Sequence, residues 1–156
     1  MRRRRSLHDE YFDLAAITNG RARGIEFEAF AGRTFSAAGF RVVRDPATSR
    51  PRQTDLLVTD GGDSYLVETK WTRKRADIGD VDELFTRLDE TPDAVVGVFV
   101  SVSGFSRRAQ ERVSARRTRP MLLIDGASSS RYSTTSRSSS VCCGASNVTS
   151  SPTPRC

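Results

Sequence analysis

Apolar and polar positions follow two different periods along the first 126 residues. Three segments carry apolar side chains at helical spacing: residues 24–38, 78–90 and 106–116. Five shorter apolar runs have the length of strands: residues 40–44, 54–59, 66–71, 94–100 and 121–124. The order is therefore helix, three strands, helix, strand, helix, strand (αβββαβαβ), with a further short helix expected before residue 20. A hairpin followed by strand–helix–strand crossovers predicts an α/β fold with a central mixed β-sheet flanked by helices.

The best-defined part of this pattern is a hairpin between the second and third strands. Residues 60–63 read DGGD, a sequence typical of a tight turn between antiparallel strands. The strand that follows, residues 66–71 (LVETKW), is apolar except for a glutamate and a lysine. Because side chains alternate between the two faces of a strand, Glu68 and Lys70 project together. The hairpin brings Asp55 of the preceding strand towards them.

Two carboxylates and a lysine on one face of a sheet suggest metal chemistry. Mg²⁺ prefers oxygen ligands and usually takes only one or two protein carboxylates, so Asp55 and Glu68 are candidate ligands. An adjacent lysine can orient or deprotonate a water, or stabilise charge on a phosphate. A solvated strand face or a surface ion pair would give the same spacing at Glu68 and Lys70, so the pattern alone leaves both interpretations open.

Residues 21–126 resemble, in order, the Mrr-like restriction endonuclease domain of the PD-(D/E)xK nuclease superfamily. Asp55, followed thirteen residues later by Glu-Thr-Lys at positions 68–70, is similar to the bipartite active site of that superfamily. Further segments resemble the first helix, the catalytic strand, the fourth strand with its helix, and the last core strand: residues 24–28 (GIEFE), 65–70 (YLVETK), 97–100 (GVFV) with 103–106 (SGFS), and 123–126 (LIDG). One departure is residues 50–54 (RPRQT), where members often carry a glycine-rich run.

The resemblance implies a restriction-endonuclease-like core that hydrolyses DNA phosphodiester bonds and leaves a 5′ phosphate. Asp55 and Glu68 would hold Mg²⁺, with Mn²⁺ as a substitute, and Lys70 would activate the attacking water. Glu28 matches a first-helix glutamate that reaches the metal site in this family and would assist, although the residue pattern alone reads it as a boundary glutamate. The implied role is restriction of foreign or modified DNA.

Basic and polar residues near these positions are candidate DNA contacts, because arginine and lysine bind phosphate oxygens through charge-assisted hydrogen bonds. They precede Asp55, follow the catalytic strand or begin the last helix: Arg50, Arg52, Gln53, Arg73, Lys74, Arg107 and Arg108. Each is equally compatible with a solvated surface. The acidic face of the 78–90 helix is expected to point away from the duplex or to meet a partner.

Composition divides the 156-residue chain into three parts. The net charge of +6 comes from the ends, because residues 6–126 hold 18 basic and 19 acidic side chains, so the basic composition is not independent support for DNA binding. We expect residues 1–20 to form a basic, partly disordered N-terminal segment and residues 21–126 to form the nuclease domain that the resemblance implies. In residues 127–156, 15 of 30 side chains are Ser or Thr, which predicts a disordered tail. We hypothesise that the C-terminus is frameshifted or truncated.

These features bound the location and partners of the protein. No run approaches the roughly 20 apolar residues of a membrane span, and the three cysteines match no zinc spacing. We expect a cytoplasmic protein with no membrane partner, and DNA is the partner that the resemblance implies. Cleaving a duplex requires two cuts, which predicts a homodimer or a partner subunit. Two alternatives stay open, a repair or junction-resolving nuclease and a catalytically inactive DNA-binding module. The complete set of two acids and a lysine argues against the second.

Overall fold

A computed structural model describes residues 6–44, 56–92 and 94–126 of the chain. Within these ranges the chain forms four helices and five strands: α1 (Leu7–Ala15), α2 (Gly20–Ala37), β1 (Arg41–Arg44), β2 (Leu56–Asp60), β3 (Asp63–Lys70), α3 (Ile78–Asp89), β4 (Val95–Ser101), α4 (Arg107–Ala115) and β5 (Met121–Asp125). This is the predicted order, with α1 as the short helix expected before residue 20. No helix of the described ranges is long and apolar enough to cross a bilayer.

The five strands form one mixed sheet in the order β1-β2-β3-β4-β5. The pairs β1–β2 and β2–β3 are antiparallel, whereas β3–β4 and β4–β5 are parallel. Helix α3 connects β3 to β4 and α4 connects β4 to β5, as parallel neighbours require a crossover. The predicted mixed sheet flanked by helices is confirmed.

The predicted hairpin forms the junction of β2 and β3. Asp60 pairs with Asp63 at the end of the antiparallel ladder, which leaves the two intervening glycines as the turn. Gly61 has a φ of 62°, a conformation that glycine adopts without steric cost. The register that this turn sets pairs Leu56 with Val67 at the other end of β2, beside the residues of the candidate site.

Each face of the sheet has its own apolar core. Leu66 and Phe99 pack on one face in a cluster that includes Val81, Leu84 and other side chains of α3. Val67 packs on the other face, in the cluster that includes Ala31 of α2. Since consecutive residues of β3 belong to opposite clusters, the alternation predicted from the sequence is confirmed.

Helix α2 begins at Gly20, four residues before the predicted start at residue 24. The Asn19 side chain caps this end, because its Oδ1 accepts a hydrogen bond from the backbone N–H of Ala22 at 3.1 Å. Gly20 and Gly24 are poor helix formers and hid the early start in the sequence. The helix ends as predicted, with its C-cap at Ala38 and then Gly39 at a φ of 98°.

Candidate active site

Glu68 and Lys70 lie at the C-terminal end of β3, on the sheet face that α3 covers. In the parallel ladder their backbones pair with Phe99 and Ser101 of β4, so a central strand fixes the spacing of the two side chains. About 6.7 Å separates the Cα atoms of strand residues two positions apart. The side-by-side projection predicted from the sequence is therefore present, and a helix adjoins it.

The carboxylate of Glu68 forms an ion pair with Arg87 in the last turn of α3, between Oε2 and Nη2. Arg87 is only 7% exposed, and its Nε also donates a hydrogen bond to the backbone carbonyl of Glu83 at 3.4 Å. The Glu68 side chain is 22% exposed and therefore remains accessible to water. A buried guanidinium requires a counter-charge, and Glu68 provides it.

The ammonium of Lys70 forms an ion pair with Asp80 in the first turn of α3, between Nζ and Oδ1. The other carboxylate oxygen of Asp80 accepts a hydrogen bond from the backbone N–H of Asp77 at 2.8 Å. That second bond satisfies one of the donors that the start of a helix leaves open. The Lys70 and Asp80 side chains are 29% and 28% exposed, so this pair is at the surface end of the site.

Sequence reasoning missed both partners on α3. It placed Asp80 on an acidic face directed away from DNA, and it did not single out Arg87. The usable signal was an arginine among the apolar positions of the helix, between Phe85 and Leu88, seven residues after Asp80. Seven residues are close to two turns of an α-helix, so the two side chains share one face.

Glu28, the fourth predicted catalytic residue, binds Arg44 of β1. Its Oε1 accepts hydrogen bonds from Nε and Nη2 of Arg44, both at 3.1 Å. Helix α2 packs on the face that carries Val67, opposite to the face of Glu68 and Lys70. The described contacts do not bring Glu28 to that pair, and its assisting role stays a prediction.

Several predicted site residues lie outside the described ranges. They are the first catalytic acid and the residues just before it: Asp55, Arg50, Arg52 and Gln53. Asp55 is covalently joined to Leu56, whose partner in the β2–β3 ladder is Val67, the neighbour of Glu68. The roles predicted for these four residues stay predictions.

The predicted DNA contacts that are described lie at the surface. Arg73 and Lys74 are exposed directly after β3, and Arg107 and Arg108 are exposed at the start of α4. Arg107 forms an ion pair with Glu111 one turn later at 2.7 Å. These positions allow contact with a phosphate backbone and do not by themselves require it.

The acidic face of α3 meets this chain's own helix α4. Asp82 forms an ion pair with Arg112 at 2.6 Å, and Asp89 forms one with Arg116. The sequence analysis expected this face to point away from the duplex or to meet a partner, and for these two residues the partner is a helix of the same chain. The sequence did not identify this partner, because the packing of α3 beside α4 is not visible in either helix alone.

Trp71, the residue after Lys70, belongs to an aromatic cluster on the other face. Its ring stacks on Tyr11 of α1 at 5.3 Å between centroids and meets Phe27 of α2 edge-on at 5.1 Å. The guanidinium of Arg23 lies 5.5 Å from the same ring. Trp71 is thus a half-buried boundary residue that holds α1 and α2 against the end of β3.

The donor set of the described residues suits a sparsely ligated cation. Among these residues no group of three or more His, Cys, Asp or Glu has the arrangement of a metal cage. Glu68 offers one carboxylate that stays water-accessible. Mg²⁺ usually keeps several waters and binds through one or two carboxylates, so Glu68 with one further acid, for which the sequence predicts Asp55, fits this ion.

Comparison with known proteins places this architecture among restriction endonucleases. The Mrr_cat family model, described as restriction endonuclease, matches residues 21–129. The chain is similar to the DNA modification-dependent restriction endonuclease AspBHI (20% identity, TM-score 0.51, covering 79% of this chain and 36% of that one). It is also similar to the MspJI restriction endonuclease in complex with a 27-mer oligonucleotide (20% identity, TM-score 0.50, covering 78% and 28%).

A third solved structure, AF1548, is a protein of unknown function (12% identity, TM-score 0.55, covering 63% of this chain and 55% of that one). At these identities the likeness shows the fold, and the predicted restriction-endonuclease-like core is confirmed. The chain spans 28–55% of the length of the three structures. No curated protein matches it.

Proposed function

Because the chain belongs to the restriction endonuclease family whose Mrr_cat model covers residues 21–129, we propose that it is a metal-dependent DNA endonuclease. The observation that carries the proposal is the placement of Glu68 and Lys70. They lie together at the end of β3, and each has a counter-ion on α3. A surface ion pair between the two residues would not need a buried arginine and a helix-cap aspartate beside it.

The proposed chemistry assigns a separate task to each side chain. Glu68 and Asp55 would hold one or two Mg²⁺ ions, for which Mn²⁺ could substitute. A divalent cation bound there would stabilise negative charge on the phosphate and on the leaving oxygen. Lys70 would orient and activate the attacking water, or donate hydrogen bonds to the phosphate. Glu28 would assist only if it exchanged its ion pair with Arg44 for the site.

DNA binding is the second part of the proposal. Arg73 and Lys74 follow the site directly and are exposed, so they are placed to neutralise phosphates of a strand that leaves it. Arg107 and Arg108 offer a second exposed basic position on α4. Arg50, Arg52 and Gln53 remain sequence-based candidates for contacts on the other side of Asp55.

We propose restriction of foreign or modified DNA as the role and the cytoplasm as the location. AspBHI is described as DNA modification-dependent, which supports including modified DNA among the substrates. Duplex cleavage would require a homodimer or a partner subunit, because one site cuts one strand at a time. Repair or junction resolution and inactive DNA binding are the alternatives that the experiment must separate.

The first test is cleavage of supercoiled plasmid, methylated and unmethylated, with Mg²⁺, Mn²⁺ or EDTA. Wild-type protein should nick the plasmid only with a metal, and Lys70→Ala should reduce the rate about a hundredfold or more, the usual loss when a group that stabilises the transition state is removed. Arg21→Ala, which removes one exposed positive charge in the first turn of α2, is the matched control and should cut normally.

Three outcomes would change the assignment. Equal cleavage by wild type and Lys70→Ala would refute the proposed site. Strong preference for branched over linear duplexes would point to a repair or junction-resolving enzyme. DNA binding by the wild type without cleavage in any metal would favour the inactive binding module.

A further inference from the structure

We propose that Asp80 and Arg87 of α3 are positioning residues for the reaction, with Asp80 orienting Lys70 and Arg87 orienting Glu68. The inference rests on the proposed nuclease function and extends it to a helix that the active-site motif does not include. It is based on two ion pairs between the strand and the helix. Glu68 of β3 pairs with Arg87 of α3, and Lys70 of β3 pairs with Asp80 of α3.

The helix geometry makes this arrangement possible. Because α3 follows β3 and returns antiparallel to it, the first turn of the helix lies beside Lys70 and the last turn beside Glu68. Asp80 and Arg87 are seven residues apart, so they lie on one helix face about 10.5 Å apart along the axis. This exceeds the spacing of Glu68 and Lys70 by a few ångströms, a difference that the long arginine and lysine side chains span.

Asp80 is itself held in place. One of its oxygens accepts the backbone N–H of Asp77 at 2.8 Å, which fixes the carboxylate at the helix start. The other oxygen binds the Lys70 ammonium. A lysine side chain is a flexible four-carbon stem, so a fixed acceptor selects one of its conformers and directs the ammonium to one position before substrate arrives.

Arg87 is held more firmly, because it is 7% exposed and also donates to the Glu83 carbonyl. It contacts Oε2 of Glu68. A carboxylate has two oxygens at a fixed angle, so anchoring one of them sets the direction of the other. The second oxygen of Glu68 would then already point in one direction before a cation binds.

The first test concerns Asp80 and uses Asp82→Asn as the matched control, since Asp82 is on the same helix but binds Arg112 of α4. Asp80→Asn keeps an oxygen for the helix cap and loses the charge that holds Lys70. We expect kcat for plasmid nicking to fall about tenfold to a hundredfold, with KM for DNA within about threefold of wild type. Asp80→Glu should recover part of the loss, and Asp82→Asn should cut normally.

A second readout does not depend on cleavage. Lys70 and Lys74 are the two lysines of the sequence, so labelling lysine with ¹³C and ¹⁵N gives two side-chain signals by NMR. In the wild type the Lys70 signal should differ from that of the exposed Lys74, and in Asp80→Asn it should move towards it. If the two signals already coincide in the wild type, Asp80 does not hold Lys70 and the inference fails.

The test of Arg87 compares Arg87→Gln with Arg87→Lys. Removing a positive charge beside the proposed metal ligand should leave Mn²⁺ binding, measured by calorimetry, at least as tight as in the wild type, while kcat falls about tenfold or more. Arg87→Lys keeps the charge and should recover part of kcat. Loss of metal binding together with kcat would indicate a structural role only and would overturn the proposal for Arg87.

The failures of the two proposals are distinguishable. If the wild type does not cut DNA in any metal, the proposed function fails, while the NMR signals and metal binding still report whether α3 holds Lys70 and Glu68. If the wild type cuts and both Asp80→Asn and Arg87→Gln cut at its rate, the nuclease stands and the positioning role is refuted.

Discussion

The ion pair between Glu68 and Arg87 makes the proposed catalytic glutamate structurally important as well. The usual way to inactivate a site of this kind is to replace its glutamate. Here Glu68→Gln also removes the carboxylate that neutralises a guanidinium which is 7% exposed. We therefore predict that Glu68→Gln is destabilised, and that replacing Arg87 by Met in the same chain restores stability without restoring activity.

The size of the effect follows from the burial of each partner. Breaking a buried ion pair by removing one partner costs about 3–5 kcal/mol. Because the Glu68 side chain as a whole is 22% exposed, although its Oε2 is buried, we expect about 2–3 kcal/mol for Glu68→Gln, at or below the low end of that range. Arg87→Met leaves a water-accessible carboxylate and should cost about 1–2 kcal/mol. The double variant, with a neutral pair, should cost about 1 kcal/mol.

The assay is urea unfolding of the four proteins at pH 7 and 25 °C, with equal denaturant slopes as the check that only stability has changed. The two single costs together exceed the cost of the double variant by about 3 kcal/mol, which is the expected coupling energy between the substitutions. The same cycle on Asp82 and Arg112, an ion pair whose side chains are 46% and 41% exposed, is the control and should give less than about 1 kcal/mol.

A coupling energy below about 0.5 kcal/mol for Glu68 and Arg87, within the error of additive behaviour, would refute this reasoning. It would mean that water or another group compensates Arg87 as well as Glu68 does. Plasmid nicking by the double variant would refute the proposed catalytic role of Glu68, because it would show that this carboxylate is not needed for cleavage.

Two further predictions concern residues around the site. Gly126→Ala should lower the midpoint of urea unfolding, because the added Cβ would lie 2.5 Å from the backbone oxygen of Val102. A backbone atom cannot move aside as the end of a side chain can. An unchanged midpoint would show that the backbone adjusts. A hydrogen bond from Ser106 lowers the pKa of Asp77 below its usual 3.8, so the ionised group contributes stability above that pH and loses it as the pH falls through the lowered pKa. The stability advantage of wild type over Asp77→Asn, measured by urea unfolding at a series of pH values, should therefore be present at pH 6 and shrink below about pH 4; a constant difference would contradict it.

The sequence predicted those features that depend on local periods and turns. The position of Glu68 and Lys70 on one face required only the two-residue period of a strand. The hairpin required only two glycines between alternating runs. Both are decided within about ten residues of chain, and both agree with the structure.

The missed features depend on which elements pack together. Asp80 was read as part of an acidic helix face, because nothing near it in the sequence shows that β3 lies alongside. The ion pair between Glu28 and Arg44, which the sequence analysis did not predict, joins residues 16 positions apart. The early start of α2 was missed for a more local reason. The Asn19 cap outweighs the low helix propensity of Gly20 and Gly24, and the prediction considered only the glycines.

The reciprocal pairs also answer a question that the active-site motif leaves open. A glutamate and a lysine two residues apart on a strand are close enough to pair with each other, which would direct both charged groups along the strand. Counter-ions on α3 remove the need for that pairing, because Arg87 balances Glu68 and Asp80 balances Lys70. The four charges sum to zero, so the cluster adds no net charge that would repel either a metal or DNA. In this chain, Asp80 and Arg87 on the helix after the Glu-x-Lys strand therefore distinguish the arrangement from a surface ion pair within the strand.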